Sequence, residues 1–514
     1  VELRDLAGSQ VLAATSMILR RSLTSEATLT KESKPPFPTD LTVRSGHRYE
    51  SIRKHLANPL SGSDSHMLSQ ALATLDCSYE TLDLQYIDIP TQKNPQVSII
   101  IPAHNKVQAT YYCLCSILVA YNKTSYEIIV VDDGSIDETN RLEDFVSGVK
   151  VIHNNEPQRF ISACNAGVRE ASGEYVVLLN NDTEVTDGWI DELIKGFNQF
   201  TNVGVVGSKL LYPDGSLQAA GGIVWGSGNP WNYGTGQNPW DPRFMYSRQV
   251  DYICGAALMT TKKIWDEVGG LSDYLKPMYF EDTDFSFKVR QAGYKTYYIA
   301  SSVVYHHEGL TSGTDTSSGF KRYQEVNRPK FKKTWSKAFA NNGRDGISPD
   351  LEKDRGIIGR ALFIDYTTPR ADRDAGSYAA IQEIKLVQSL GYKVTFIPKN
   401  FEDFGVYTQI LRDMGVEVIV APFYRSIEDF VARRGSEFDC AYITRYYVAE
   451  VSIPALREHA PNCKIIMCNA DLHFLRELRA AGEDPDKLAR AAEVREMELE
   501  MILKTDVVIS YNET

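Results

Sequence analysis

Four short stretches of this chain put acidic and imidazole side chains where they could do chemistry. They are Asp132-Asp133-Gly134-Ser135, Asn180-Asn181-Asp182, the run Glu281, Asp282, Asp284, and the pair His306-His307. Carboxylate, amide and imidazole donors suit a hard divalent ion, Mg²⁺ or Mn²⁺, with its remaining positions left to water and phosphate oxygens. An Asn-x-Asp at a strand end, joined by a distant His, could hold one such ion against a diphosphate and neutralise it as a leaving group. Glu281 and Asp282 come from a separate element and could supply a general base. Taken singly, each stretch has a plainer reading. Asp182 could cap a helix, Asp132-Asp133-Gly134 could be a turn, and Glu281 and Asp282 could favour a helix N-terminus. The two histidines could be a solvated or core pair.

The elements that must position these residues follow an alternating pattern. VSIIIP (97–102) reads as a buried strand, and helical spacing follows it through Ala120. EIIVVDDGS (127–135) reads as a second strand with a helix behind it, VKVIHNN (149–155) as a third, and YVVLLN (175–180) as a fourth after a helix over 160–171. Strand–helix alternation predicts a mostly parallel sheet covered by helices on both faces, with ligands beyond the carboxyl ends of the strands. Three such ends carry polar residues: Pro102-Ala103-His104-Asn105, Asp132-Asp133 and Asn180-Asn181-Asp182. Residues 202–250 hold many Gly, Pro, Trp and Asn residues, including GSGNPWNYGTGQNPWDP (226–242), and read as a long loop with aromatic tips, either suited to sugar faces or a disordered lid.

In this order the motifs resemble the family-2 inverting glycosyltransferases of GT-A fold, over about residues 96–335. VSIIIPAHN is similar to that family's opening strand, VVDDGSID to its nucleoside-binding segment and CNAGVREASGEYVVLLNNDTEV to its block ending in a DxD-type motif. FEDTDFSFKVRQAGY resembles its acidic base motif and VVYHHEG its late metal-binding His. The resemblance implies that Pro102, His104, Asn105, Asp132, Asp133, Asn165, Asn180 and Asn181 contact a nucleotide sugar. It implies that Asp182 and His306 bind Mn²⁺ or Mg²⁺, with His307 the rival of His306, and that Asp282 is the base, with Glu281 its rival. The donor is then a UDP-, dTDP- or GDP-linked sugar, and the acceptor a glycan or lipid-linked glycan of the bacterial surface. Three positions depart from the family pattern. Asn180 replaces the first Asp of DxD, His104 replaces an aromatic, and Gln158-Arg159-Phe160 replaces a Gly-Phe stretch. The Asn-Asn-Asp variant leans towards rhamnosyltransferases.

A second alternating unit begins at 357. It has strands at 357–365, 392–398, 416–422, 440–444, 464–468 and 507–510, and a helix over 374–391. DYTTPRADRDAGSYAAIQEIKLVQSLGYKVTFIP and CNADLHFLRELR, with Asp471-Leu472-His473, resemble the N-terminal half of family-4 GT-B glycosyltransferases. The expected organisation is a mainly helical N-terminal segment at 1–95 with a PPFP turn at 35–38, a GT-A domain at 96–335, a linker at 336–356 and a Rossmann-like half-domain at 357–514. A chain that starts at Val1 and stops just after VVIS (507–510) reads as a piece of a larger multidomain transferase. On that reading its donor-binding partner domain lies further on, and the first unit does all the transfer.

Composition narrows the class. The 514 residues are 43% hydrophobic and 24% charged, a folded chain of two to four domains. A formal net charge of −12 argues against a general nucleic-acid binder. No apolar stretch nears the ~20 residues that span a bilayer, and the first residues lack the pattern of a secretory signal. The expected place is the cytoplasm, with peripheral association at the inner face of the membrane or within a complex. The eight cysteines lack paired CxxC spacing and read as reduced thiols. A processive synthase is disfavoured by the missing membrane spans and the missing Gln/Arg-x-x-Arg-Trp motif, and an oxidoreductase by the missing GxGxxG. The alternative to an enzyme is a scaffold that binds nucleotide sugar or glycan without turnover.

Overall fold

The computed structural model describes residues 2–4, 11–14, 40–58, 65–77, 82–308, 321–469 and 472–510. The PPFP turn and Asp471 lie outside the described residues. Contacts divide the chain into two compact units. The first comprises Val1–Pro239 and Arg248–Lys353, the second Trp240–Ser247 and Asp354–Thr514.

In the first unit, helices α1 (Asp40–Ala57) and α2 (Ser65–Leu75) precede the sheet. Strand β1 (Val97–Ala103) leads to α3 (Val107–Val119), then β2 (Tyr126–Asp132), β3 (Lys150–His153), α4 (Arg159–Arg169) and β4 (Tyr175–Leu179). After the Asn180–Asp182 turn come β5 (Thr183–Val185), α5 (Trp189–Gln199) and β6 (Val203–Leu211). Short strands β7 (Leu217–Ala219), β8 (Gly222–Val224), β9 (Pro230–Asn232) and β10 (Arg248–Gln249) follow. β11 (Ala257–Thr261), α6 (Lys262–Val268), α7 (Glu281–Gln291), β12 (Lys295–His306) and α8 (Arg322–Trp335) complete the parts that build the site.

The ten-stranded sheet runs β10-β12-β6-β11-β4-β1-β2-β3, with β7 paired to β6 and β5 to β12. β4, β1, β2 and β3 are parallel, as are β6 and β12. β11 enters antiparallel to both β4 and β6, so the sheet is mixed where alternation alone predicts a mostly parallel one. The helix expected after β2 is instead a 3₁₀ turn, Glu138–Asp144, capped by Asp137. The strands are β-branched runs buried on both faces, such as Val97–Ile101 and Ile128–Val131, the pattern of strands covered on each side.

The long loop expected over 202–250 is corrected by the structure. β6 to β10 occupy this stretch, and the β8–β9 hairpin closes on Gly228 at φ 78. Glycine and proline here mark tight turns between short strands, while Trp225 beneath the hairpin is fully buried. Composition of this kind signals turns but not the burial between them.

The second unit is a six-stranded, all-parallel sheet. Its elements are β13 (Gly359–Asp365), α9 (Ala375–Ser389), β14 (Tyr392–Pro398), α10 (Val406–Asp413), β15 (Glu417–Val418), α11 (Ile427–Arg434), β16 (Cys440–Thr444), α12 (Tyr446–His459), β17 (Lys464–Asn469), α13 (His473–Ala481), α14 (Pro485–Leu503) and β18 (Val507–Ser510). The order β15-β14-β13-β16-β17-β18 is 3-2-1-4-5-6 counted within the unit, the doubly wound arrangement. Separate cores lie on its two faces, one around Ile364 and Ile443, the other around Phe363 and Tyr442. All eight cysteines are free thiols, and no helix among the described residues is long and apolar enough to cross a membrane.

One buried charge cluster ties the N-terminal helices to the sheet. Glu184 on β5 is 2% exposed and accepts from Arg44 Nε at 2.7 Å, Arg48 Nε at 2.8 Å and the Tyr112 hydroxyl at 2.9 Å. Burial alone would raise the Glu184 carboxyl, but the two guanidiniums outweigh it and hold it down at about 2. A depressed carboxyl adds stability above its unfolded value that is lost as the pH falls through the folded one. Glu184→Gln leaves two buried guanidiniums without their counter-charge and should cost about 3–5 kcal/mol at pH 7. The cost should shrink as the pH falls from about 4.5 towards about 2. Urea unfolding of both proteins at pH 7 and pH 3 measures this, and equal midpoints at pH 7 would refute it.

Candidate active site

The turn after β4 sends its side chains to different sides. Asn180 and Asp182 line a cavity of about 550 Å³, while Asn181 points away and donates to Thr110 Oγ1 at 3.0 Å. β5 pairs antiparallel with β12 in the register Thr183↔His306 and Glu184↔Tyr305, which brings His306 beside Asp182. His306 Nε2 lies 3.2 Å from Asp182 Oδ1 and 3.2 Å from Asn180 Nδ2. Its other ring nitrogen, Nδ1, is 2.9 Å from Gln218 Oε1. An amide oxygen only accepts and an amide nitrogen only donates, so Nδ1 carries a proton towards Gln218 and Nε2 accepts from Asn180 Nδ2. Asn180 Oδ1 and Asp182 Oδ1 are both buried without a hydrogen-bond partner.

Two buried acceptors without hydrogen-bond partners, beside an imidazole nitrogen, fit a hard divalent cation such as Mn²⁺ or Mg²⁺. Among the described residues no three His, Cys, Asp or Glu side chains gather around one point. Asp182, His306 and the Asn180 amide would therefore hold such an ion only in part, leaving positions open to ligand oxygens. His307 faces the other way. Its Nε2 lies 3.2 Å from the Arg44 guanidinium, and burial with that charge lowers its pKa to about 4.

Glu281 and Asp282 open α7 on the facing wall of the same cavity. The turn before them is strained, with Tyr279 at φ 75 and Phe280 at φ 72. Asn327 of α8, wholly buried, holds that turn. Its Nδ2 lies 2.5 Å from the Leu275 carbonyl, 2.9 Å from that of Met278 and 3.2 Å from that of Tyr279. Asp282 accepts from Gly255 N at 3.0 Å, and from Thr283 N at 2.6 Å and Thr283 Oγ1 at 3.1 Å. Burial raises both carboxyls, and the charge of Asp282 raises Glu281 further. Glu281 Oε2 is buried without a partner. Asp284 is structural, since it accepts from Ser272 Oγ at 2.6 Å and Trp335 Nε1 at 2.7 Å.

The other expected nucleotide contacts stand apart from this cavity lining. Asp133 is saturated by Asn154 Nδ2, Gln158 N and Arg159 N at 2.9, 2.7 and 2.7 Å. Asp132 accepts from Ser135 N at 3.0 Å and meets His153 Nδ1 at 2.9 Å. Asn165 clamps the backbone of Leu271, with its Nδ2 and Oδ1 each 2.9 Å from the peptide partner. His104 Nδ1 meets the Asp133 carbonyl at 2.8 Å, Asn105 Oδ1 accepts from Ile136 N at 2.9 Å, and Pro102 pairs with Val131 inside the sheet. Sequence reasoning missed Gln218, Asn327, Trp231 and the α8 side chains Gln324 and Arg328, which line or brace the cavity. The aromatic and Asn content of 226–242 was the one signal for Trp231.

Residues 98–257 match the family model described as Glycosyl transferase family 2. The matched stretch lies mostly within the first unit. The uncharacterized protein y4gI of Sinorhizobium fredii is 32% identical over 276 residues, 51% of this chain and 29% of that protein. The O-antigen biosynthesis protein RfbC of Myxococcus xanthus is 27% identical over 289 residues, 54% of this chain and 21% of that one. The N-acetylglucosaminyl-diphospho-decaprenol L-rhamnosyltransferase of Mycobacterium tuberculosis is 27% identical over 160 residues, 28% of this chain and 50% of that enzyme. The chain thus spans half or less of the length of these relatives.

Gln218 fixes the tautomer of His306, and partners of this kind are typically worth ~10–100-fold in metal affinity. Gln218→Leu should weaken Mn²⁺ binding by that order in calorimetric titration while thermal stability stays near that of the parent. Unaltered Mn²⁺ affinity would remove Gln218 from the site.

Proposed function

We propose that the first unit is a metal-dependent, inverting glycosyltransferase that moves a sugar from a nucleotide diphosphate to an acceptor hydroxyl. The observation that carries this reading is the single cavity that joins Asn180, Asp182 and His306 on one wall to Glu281 and Asp282 on the other. The family match over 98–257 supports the reaction class. The relatives named for O-antigen biosynthesis and rhamnosyl transfer support a bacterial surface glycan as product and a rhamnosyl donor as the leading candidate.

Asp282 is the assigned base. Three donors favour its charged form, whereas Glu281, raised by burial and by the neighbouring charge, keeps its proton and limits the negative charge of the pair. The acceptor oxygen gives its proton to Asp282 and attacks the anomeric carbon. The bond from that carbon to the diphosphate breaks on the opposite face, so the configuration inverts. A divalent ion on Asn180, Asp182 and His306, when bound, supplies charge neutralisation at the leaving diphosphate. Lys321 and Arg328 on the α8 wall add cations on the same cavity. Trp231, 45% exposed on β9, rests edge-on against buried Trp225 at 5.1 Å and offers a rigid aromatic face to an acceptor sugar.

Asp282→Asn should lower transfer by ~10²–10⁴-fold with donor affinity near normal. The raised Asp282 carboxyl places the acidic limb of the parent's pH–rate profile above the usual carboxylate range. Normal transfer by Asp282→Asn with loss in Glu281→Gln would move the base to Glu281, and full transfer in EDTA would remove the ion. Nucleotide-sugar binding with neither transfer nor donor hydrolysis would leave only a scaffold. Trp231→Ala should raise the acceptor KM and leave donor KM unchanged, with Trp231→Phe restoring most of it. An unchanged acceptor KM would place the acceptor elsewhere.

A further inference from the structure

Helix α8 and the turn after it concentrate positive charge. Residues 321–337 hold seven Lys or Arg and one acid, Glu325, in a chain of formal net charge −12. One face of the helix, Asn327, Phe331 and Trp335, is buried in the first unit. The opposite face presents Arg322, Val326, Pro329 and Lys333 at helical spacing, all exposed, with Lys337 just beyond the helix. An open groove of about 630 Å³ lies between the C-terminal ends of α7 and α8, lined by Phe287, Trp335, Arg290, Lys333 and Lys337 among others. Arg290 is engaged by Asp251 at 3.0 Å, whereas no carboxylate among the described residues pairs with Lys333 or Lys337. Like charges gathered this way repel one another, and an anionic partner relieves the repulsion.

The neighbours of α8 narrow the kind of partner. A Cβ on Gly228, at the tip of the β8–β9 hairpin, would lie 2.9 Å from Lys332 Cγ, and one on Gly346 would lie 3.1 Å from the Trp231 ring. Asn229 Nδ2 donates to Asp345 Oδ2 at 2.6 Å, which ties the hairpin to the 342–347 loop. That loop ends on Ile347, 62% exposed, and Val326 on α8 is 46% exposed. Cations with a few exposed apolar side chains among them suit a bilayer surface, where the charges meet lipid phosphates and the apolar tips enter the interface. A hydrophilic polyanion has no place for those tips. A chain this acidic is repelled by an anionic bilayer except through a face of locally reversed charge. The same helix lines the transfer cavity with Gln324 and Arg328. A unit resting on α8 therefore holds that cavity close to the lipid, where a lipid-linked acceptor would be presented.

We propose that the first unit docks on an anionic lipid surface through the exposed face of α8 and the groove at its end, with Lys333 and Lys337 on lipid phosphates and Val326 and Ile347 in the interface. The docking face rests on the reading of the cavity only for why it lies there. Its binding to lipid is measured without donor, acceptor or metal, so it holds or fails apart from transfer.

The test is co-sedimentation of the full chain, in EDTA, with phosphatidylcholine vesicles that do or do not contain phosphatidylglycerol. Binding is expected only with phosphatidylglycerol. It should fall as salt rises from about 0.1 M to about 1 M and the screening length shrinks from about 10 Å to about 3 Å. Each Lys near such a surface is typically worth ~1 kcal/mol, about fivefold, so Lys333→Gln with Lys337→Gln should weaken binding by about tenfold or more. Val326→Gln with Ile347→Gln should weaken it severalfold. None of these four side chains lines the transfer cavity, so transfer to a soluble acceptor should stay at the parent's level. No binding to phosphatidylglycerol vesicles, or equal binding to both kinds, overturns the proposal, as does binding that survives the two lysine substitutions. Binding that the two apolar substitutions leave intact overturns the lipid assignment, and competition by soluble polyglutamate then identifies an acidic macromolecule as the partner.

Discussion

The pairing of Glu184 with Arg44 and Arg48 is the interaction on which the first unit's chemistry rests. Glu184 lies two residues beyond Asp182, on the strand whose register with β12 sets His306 opposite Thr183. A carboxylate buried to this degree is tolerable only with its counter-charges in place. Those counter-charges come from α1, more than a hundred residues earlier in the chain. The helices at the N-terminus therefore belong to the machinery of the cavity. Without them β5 would carry an uncompensated charge beside the acceptor pair that lines the cavity.

The same turn separates two kinds of work on its two faces. Asn180, Asp182 and His306 face the cavity, with acceptors left open. Asn181, Glu184 and His307 face the protein interior, where each meets an internal partner. The turn at Asn181–Asp182 does this ahead of the strand, since a period of two alone would put Asp182 and Glu184 on one face. The two histidines are also separated electrically, because His307 lies against a guanidinium and His306 against a carboxylate and two amides.

Much of this was legible in the sequence. Apolar runs ending in oxygen-rich tips located β1, β2 and β4, and the family resemblance singled out Asn180 and Asp182 as the ends of a DxD-type motif. The second unit's strands fell where the alternation predicted. What escaped was what depends on distant contacts. Gln218 is one amide in a stretch rich in turn residues, and its role exists only because β7 pairs with β6 next to β12. Asn327 sits in mid-helix, where nothing in the pattern distinguishes a clamp from a surface amide. Which of His306 and His307 turns inward is fixed by the partner of β12, not by the dipeptide. Asp133 reads as a ligand-facing acid, yet the loop after β3 folds back and saturates it with its own N–H groups.

Helix α8 reaches the cavity twice. Gln324 and Arg328 meet it directly, with Lys321 just ahead of the helix, while Asn327 grips the strained turn that presents Glu281 and Asp282. One rigid rod thus carries both the cationic wall and the latch on the acidic one. The Asn327 side chain is the link between the rod and the turn at Tyr279 and Phe280. The geometry of the acidic pair is thereby set mechanically from the far wall.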